Sequence, residues 1–162
     1  MTASHDLFVS EQHPVSRRWA VVEDDGRVAW LYLTEPNPPK PIPDCWLYNR
    51  VPTPPHFDSV RDEPPVVPQT HAGVGATSLP PAAESVRLRW SRDGESVAVF
   101  FDAELIGFIA QGQKRGFSRH IRVSGQFGSV LDTEMKRPWT FIYGAKASAS
   151  VKCSRLSALA AS

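Results

Sequence analysis

Two stretches of this chain carry the apolar and polar pattern of a strand folded back on itself. In Arg18 to Leu33, the runs Trp19-Ala20-Val21-Val22 and Val28-Ala29-Trp30-Leu31-Tyr32-Leu33 flank Glu23-Asp24-Asp25-Gly26. Asp-Gly between two apolar runs predicts a tight hairpin turn, because glycine accepts the positive φ that such turns need. In Val86 to Phe101, Val86, Leu88 and Trp90 alternate with Arg87 and Arg89, and the chain reverses at Arg92-Asp93-Gly94. Residues two apart share a strand face, so this strand has one dry and one wet side. Val28–Leu33 and Val97–Phe101 are apolar on both faces. Strands of that kind need cover on two sides, which predicts a sandwich or small barrel in place of a single solvated sheet.

Further strands are predicted over Cys45–Val51, Leu105–Ala110, Phe117–Val123 and Pro138–Tyr143. The Ala- and Ser-rich end, Ser154–Ser162, allows a short C-terminal helix. The fold class expected is mainly β: about seven or eight antiparallel strands in one domain spanning residues 1–162. Residues 1–16 read as a polar lead-in.

Proline changes this picture in one region. Thirteen of the fifteen prolines fall between Pro36 and Pro81. Proline fixes φ and lacks an N–H donor, so central strands cannot run through such a segment. Residues 52–83, poor in large apolar side chains, read as a proline-rich insertion, extended or partly disordered at the surface. A docking loop and an inert insertion are both open readings of it.

Composition adds the setting. The chain has 162 residues, 41% hydrophobic and 22% charged, and the mean hydropathy is −0.27. These values suit a globular protein, and no apolar run approaches the ~20 residues of a membrane span. The N-terminus lacks the pattern of a secretory signal, so a cytoplasmic location is expected, with no membrane. Cys45 and Cys153 show no CxxC or ligand spacing and are expected as buried small hydrophobes. The net charge is +1, but residues 1–85 hold six Lys/Arg against eleven Asp/Glu, and residues 86–162 hold twelve against six. Opposite-signed halves either neutralise each other within the domain or face different partners.

The chemistry-bearing residues are sparse. Glu23-Asp24-Asp25-Gly26 lacks the alternate spacing of a calcium loop, and turn chemistry explains it. No spacing among His5, His13, His56, His71 and His120 marks a zinc site, so no metal and no cofactor are expected. No nucleophile elbow, phosphate loop or dinucleotide fingerprint occurs, and no catalytic residue is assigned. Asp102 and Glu104 share a strand face but read as exposed charge. Lys114, Arg115, Arg119, His120 and Arg122 form the most basic run, and no acid occurs from Leu105 through Leu131. Near-neutral total charge argues against nucleic acid as the partner.

Strand alternation would set Arg119 among Phe117, Ile121 and Val123. A guanidinium there needs a carboxylate partner such as Glu23, Asp24 or Asp102, or it captures an anionic ligand at a pocket mouth. Trp46, Tyr48 and Arg50 would share another face beside the proline-rich segment, as core or as an exposed aromatic platform.

Four landmarks recur in order: Trp19-Ala-Val-Val-Glu-Asp-Asp-Gly26, Trp46-Leu-Tyr-Asn49, Trp90-Ser-Arg-Asp-Gly94 and Lys114-Arg-Gly-Phe-Ser-Arg119. In these the chain resembles a small bacterial domain-of-unknown-function family reading W-A-V-V-x-E-D-D-G, an aromatic-tyrosine-asparagine strand, W-S-x-D-G and R-R-G-Y-C-R. Ser118 stands at the family's cysteine, and Ile109-Ala110 stands near its acidic phenylalanine-aspartate element. The resemblance covers about half the chain and implies a small bacterial β-rich domain, with nothing catalytic.

The function expected from these readings is a non-enzymatic cytoplasmic protein-binding domain of immunity or adaptor type. Its contacts would be Trp46, Tyr48, Arg50, Lys114, Arg115, Arg119, His120 and Arg122. The alternative is a pocket protein, or an enzyme, with Arg119 as anchor for a small anionic ligand.

Overall fold

The computed structural model describes residues 7–35, 41–57 and 64–131. The expected strand Pro138–Tyr143, the helix Ser154–Ser162 and Cys153 lie outside the described residues. Those described form two sheets packed face to face. The first is an antiparallel meander of β1 (Phe8–Gln12), β2 (Trp19–Asp24), β3 (Val28–Thr34) and β4 (Pro41–Asn49). The second contains β5 (Val86–Trp90), β6 (Val97–Phe101), β7 (Glu104–Ile109) and β8 (Phe117–Ser118), antiparallel in sequence order, with β9 (Ser129–Val130) parallel to β8. The mainly β sandwich expected from the alternation is present. Both Asp-Gly turns occur where predicted, with Gly26 and Gly94 at φ 90° and 74°. Among the described residues no helix is long and apolar enough to cross a membrane.

The inner core follows the alternation. Val9, Val22, Leu31, Leu33 and Leu47 of the first sheet meet Val86, Leu88, Val97, Val99 and Ile106 of the second. The outer faces are covered as well. Val28, Trp30 and Trp46 lie under Val66, Val67, Ala76, Ile121 and Phe127, while Ala98, Leu105 and Phe108 pack with Leu131. The two sheets also meet along their edges. Asp44 of β4 forms a backbone bridge with Arg115, and Trp90 of β5 donates its indole N–H to Glu11 of β1 at 2.6 Å.

Three expectations are corrected here. Residues 8–12, placed in the polar lead-in, form strand β1, because Val9 faces the core and Phe8–Gln12 pair with Trp19–Glu23. The described part of the proline-rich segment is loop, as expected, but it does not lie wholly at the surface. Val66, Val67 and Ala76 are buried because Trp30 and Trp46 on the outer face of β3 and β4 must be shielded from water. Asn49 pins this cover: its Oδ1 accepts from Val67 N and Trp46 Nε1, and its Nδ2 donates to Val67 O. Finally, the strand expected over Phe117–Val123 ends at Ser118. A turn follows at Arg119-His120, so the alternation used to orient Arg119 does not continue.

Candidate functional site

The expected contact residues do not form one surface. Trp46 is 0% exposed and Tyr48 1%, so neither belongs to an exposed aromatic platform. Nor do they share a face. Ala29 pairs with Tyr48 and Trp30 with Trp46, leaving Leu47 as an extra residue in β4. Such a bulge turns the following side chains over. Trp46 therefore joins the outer layer, and Tyr48 the inner core. Tyr48 donates its hydroxyl to the buried Asp24 at 2.7 Å, and Arg50 donates to both oxygens of that carboxylate at 3.0 and 3.1 Å. Asp24, read as a turn acid, is thus the buried counter-ion of Arg50.

The basic run is similarly dispersed by structural tasks. Lys114 is exposed, and its carbonyl accepts from Asp44 N. Arg115 pairs with Asp44 at 3.0 Å and lies over the Trp30 ring. Arg122 reaches the carbonyls of Gln69, Thr70 and Ala72, tying down the proline-rich cover. Cys45, expected as a small hydrophobe, is buried with its thiol against the Phe117 carbonyl, and burial pushes the thiol far above its ordinary range.

Arg119 and His120 do come together at a cleft. It forms where the β6–β7 turn, the start of β7, the turn after β8 and the loop 75–78 converge, and it encloses about 850 Å³. Its lining includes Phe100, Phe101, Asp102, Glu104, Arg119 and His120, with Thr77 and Ser78 on the loop. Arg119 is positioned by its backbone N–H, which donates to Ile106 O at 2.8 Å. Its Nε pairs with Glu104 Oε1 at 3.1 Å, so its partner is none of the three carboxylates expected. The two side chains are 34% and 55% exposed, which makes the pair weak and exchangeable. The Nη groups of Arg119 meet no acceptor among the described residues.

His120 is held from behind. Its Nδ1 lies 2.8 Å from Leu47 O, and its ring meets Trp46 edge-on. Burial draws the imidazole below its usual 6.5, against the Leu47 carbonyl, which raises it. The net effect favours the neutral ring. Asp102 occupies the first position of the two-residue β6–β7 turn at φ 57°, a conformation uncommon outside glycine. Its N–H donates to Ser85 O at 2.8 Å, which holds the turn in place.

The cleft lining therefore holds two carboxylates and one guanidinium, with a neutral histidine. Its apolar lining includes the part-exposed Phe100 and Phe101. Among the described residues no group of three His, Cys, Asp or Glu side chains converges to hold a metal ion. Sequence reasoning read Asp102 and Glu104 as exposed charge, named Asp102 but not Glu104 as a possible partner of Arg119, and did not single out Thr77, Ser78, Phe100 or Phe101. The two-residue spacing of the acids was the available signal for Glu104, the acid that actually pairs with Arg119.

Compared with protein-family models, with curated proteins and with solved structures, the chain matches none.

Proposed function

We propose that the protein is a non-enzymatic binding domain whose cleft takes a small, neutral, polyhydroxylated ligand of the saccharide class. One observation carries this reading: the cleft lining holds two carboxylates, Asp102 and Glu104, against the single guanidinium of Arg119, with apolar surface beside them. An anion would have to enter a lining with one more carboxylate than cation, against the Asp102 and Glu104 charges. A sugar meets no such penalty. Its hydroxyls donate to Asp102 and Glu104 and accept from the Arg119 Nη groups, and its C–H faces rest on Phe100 and Phe101. The volume of about 850 Å³ falls within the range of small-molecule clefts, roughly 300–1,000 Å³. The protein-partner reading loses its aromatic contacts to burial, since Trp46 and Tyr48 lie within the fold.

Amide NMR titration of the whole chain with D-glucose, D-galactose, D-mannose and cellobiose tests the proposal, with succinate and phosphate as the anionic arm. A sugar is expected to shift Gly75, Thr77, Asp102 and Arg119, with a dissociation constant of about 1 mM, near −4 kcal/mol. The affinity is expected to change less than twofold between 50 and 500 mM NaCl, because a neutral ligand has no charge to screen. Shifts confined to the anionic arm, weakened by salt, would restore Arg119 as an anion anchor and reject the saccharide reading. No shift in either arm also rejects it and leaves the protein-partner reading in its place.

A further inference from the structure

We infer that His120 selects a hydroxyl group on the bound ligand, acting through Nε2 as a fixed hydrogen-bond acceptor. The inference rests on the saccharide reading of the cleft and names the residue that gives it specificity.

The Leu47 carbonyl can only accept a hydrogen bond, so the Nδ1 facing it must carry the ring proton. A neutral imidazole protonated at Nδ1 leaves its lone pair on Nε2. The groups around the ring act on that state in both directions. Arg119, next in the chain, disfavours a second proton, and Glu104 from β7 favours one. From β4 the ring meets the Leu47 carbonyl and the Trp46 ring, and from the loop it meets Gly75, none of them charged. Burial, the largest influence, outweighs both the Leu47 carbonyl and Glu104 and favours the neutral imidazole.

Nε2 has no partner among the described residues and is not sealed from solvent. Gly75 keeps it open. A Cβ there would sit 3.1 Å from both Nε2 and Cδ2, so any other residue would crowd this edge of the ring. Gly75 also lines the cleft and sits at φ 82°. A ligand hydroxyl that donates to Nε2 is accepted. A methylene or ether at the same place leaves the lone pair dehydrated and unpaired, which is the usual basis of strong discrimination.

Ring ¹⁵N NMR on the whole chain tests this directly, with D-glucose, D-galactose and D-mannose as probes and the variant His120→Asn beside the parent. The free protein is expected to show a protonated Nδ1 and a bare Nε2. Sugar is expected to move the Nε2 resonance. His120→Asn, whose amide N–H₂ can replace the Nδ1 donor but offers no acceptor at Nε2, is expected to weaken binding about tenfold with its amide spectrum otherwise retained. A free protein protonated at Nε2 overturns the inference without any ligand. So does a sugar that shifts Gly75 and Thr77 but leaves Nε2 unmoved, and in that case the saccharide reading survives. No sugar-induced shift anywhere removes that reading and this inference together. If His120→Asn fails to fold, the ring spectra of the parent decide.

Discussion

Glu11 shows how one side chain can couple the two sheets to pH. Its Oε1 accepts from Trp90 Nε1, while Oε2 is buried with no partner among the described residues. Burial pushes its carboxyl from 4.5 up to about 7, and the Trp90 bond offsets only part of this. A carboxyl raised in the folded state holds its proton more tightly folded than unfolded. Its contribution is therefore fully present below about pH 4.5 and is lost as pH rises to about 7. His13, buried against Trp90 with its imidazole lowered by burial, works in the opposite sense, gaining stability as pH rises toward 6.5. The difference between parent and Glu11→Gln isolates Glu11, because Gln keeps an acceptor for Trp90. In urea denaturation the variant is expected to be more stable by roughly 1–2 kcal/mol at pH 8, allowing for solvent screening, and equal to the parent near pH 4. A difference that does not vary with pH would refute the assignment.

Single elements owe their placement to a few polar anchors. The β4 bulge at Leu47 sends Trp46 outward and Tyr48 inward, and Asn49 then fastens the proline-rich cover to the strand. Asn49→Ala strands Val67 N and Trp46 Nε1 in a buried setting and is expected to cost about 2–3 kcal/mol. Limited proteolysis is expected to cut the variant within residues 66–77 well before the parent. Unchanged protection there would mean that packing alone holds the cover. The β6–β7 turn poses the opposite case. Asp102 holds a positive φ that glycine adopts freely, so Asp102→Gly is expected to raise stability by about 1 kcal/mol in chemical denaturation. The same variant is expected to lose sugar-induced shifts in NMR, since its carboxylate is gone from the rim. A variant that gains stability and keeps its sugar response would remove Asp102 from the site.

At the scale of the whole molecule the sheets share one core, so they are expected to unfold together. Leu88 is fully buried between them, and Leu88→Ala is expected to cost about 3 kcal/mol. Far-UV circular dichroism and tryptophan fluorescence are expected to shift their midpoints equally, and separated transitions would contradict a shared core. Much of this architecture was legible along the chain. The two hairpins, their glycine turns and the two-sided burial of β3 and β6 follow from periods of two and from the conformational freedom of glycine. Those are local properties, carried by neighbouring residues. The strand at Phe8–Gln12 was hidden because Ser10, Glu11 and Gln12 look polar, although Glu11 finds Trp90 across the sandwich. The cleft was only half legible. Arg119 was expected to have a carboxylate partner, but Glu104 lies on β7 and reaches it only because the chain turns after Ser118. The residues alone determined that this is a β-rich chain with tight turns and paired charges. Only the tertiary structure decided which charge meets which, and that Trp46 and Tyr48 are core while Asp102, Glu104, Arg119 and His120 share a cleft. Strand alternation is set by the backbone one residue at a time, whereas a bulge, a turn or an ion pair between distant segments depends on how the whole chain packs.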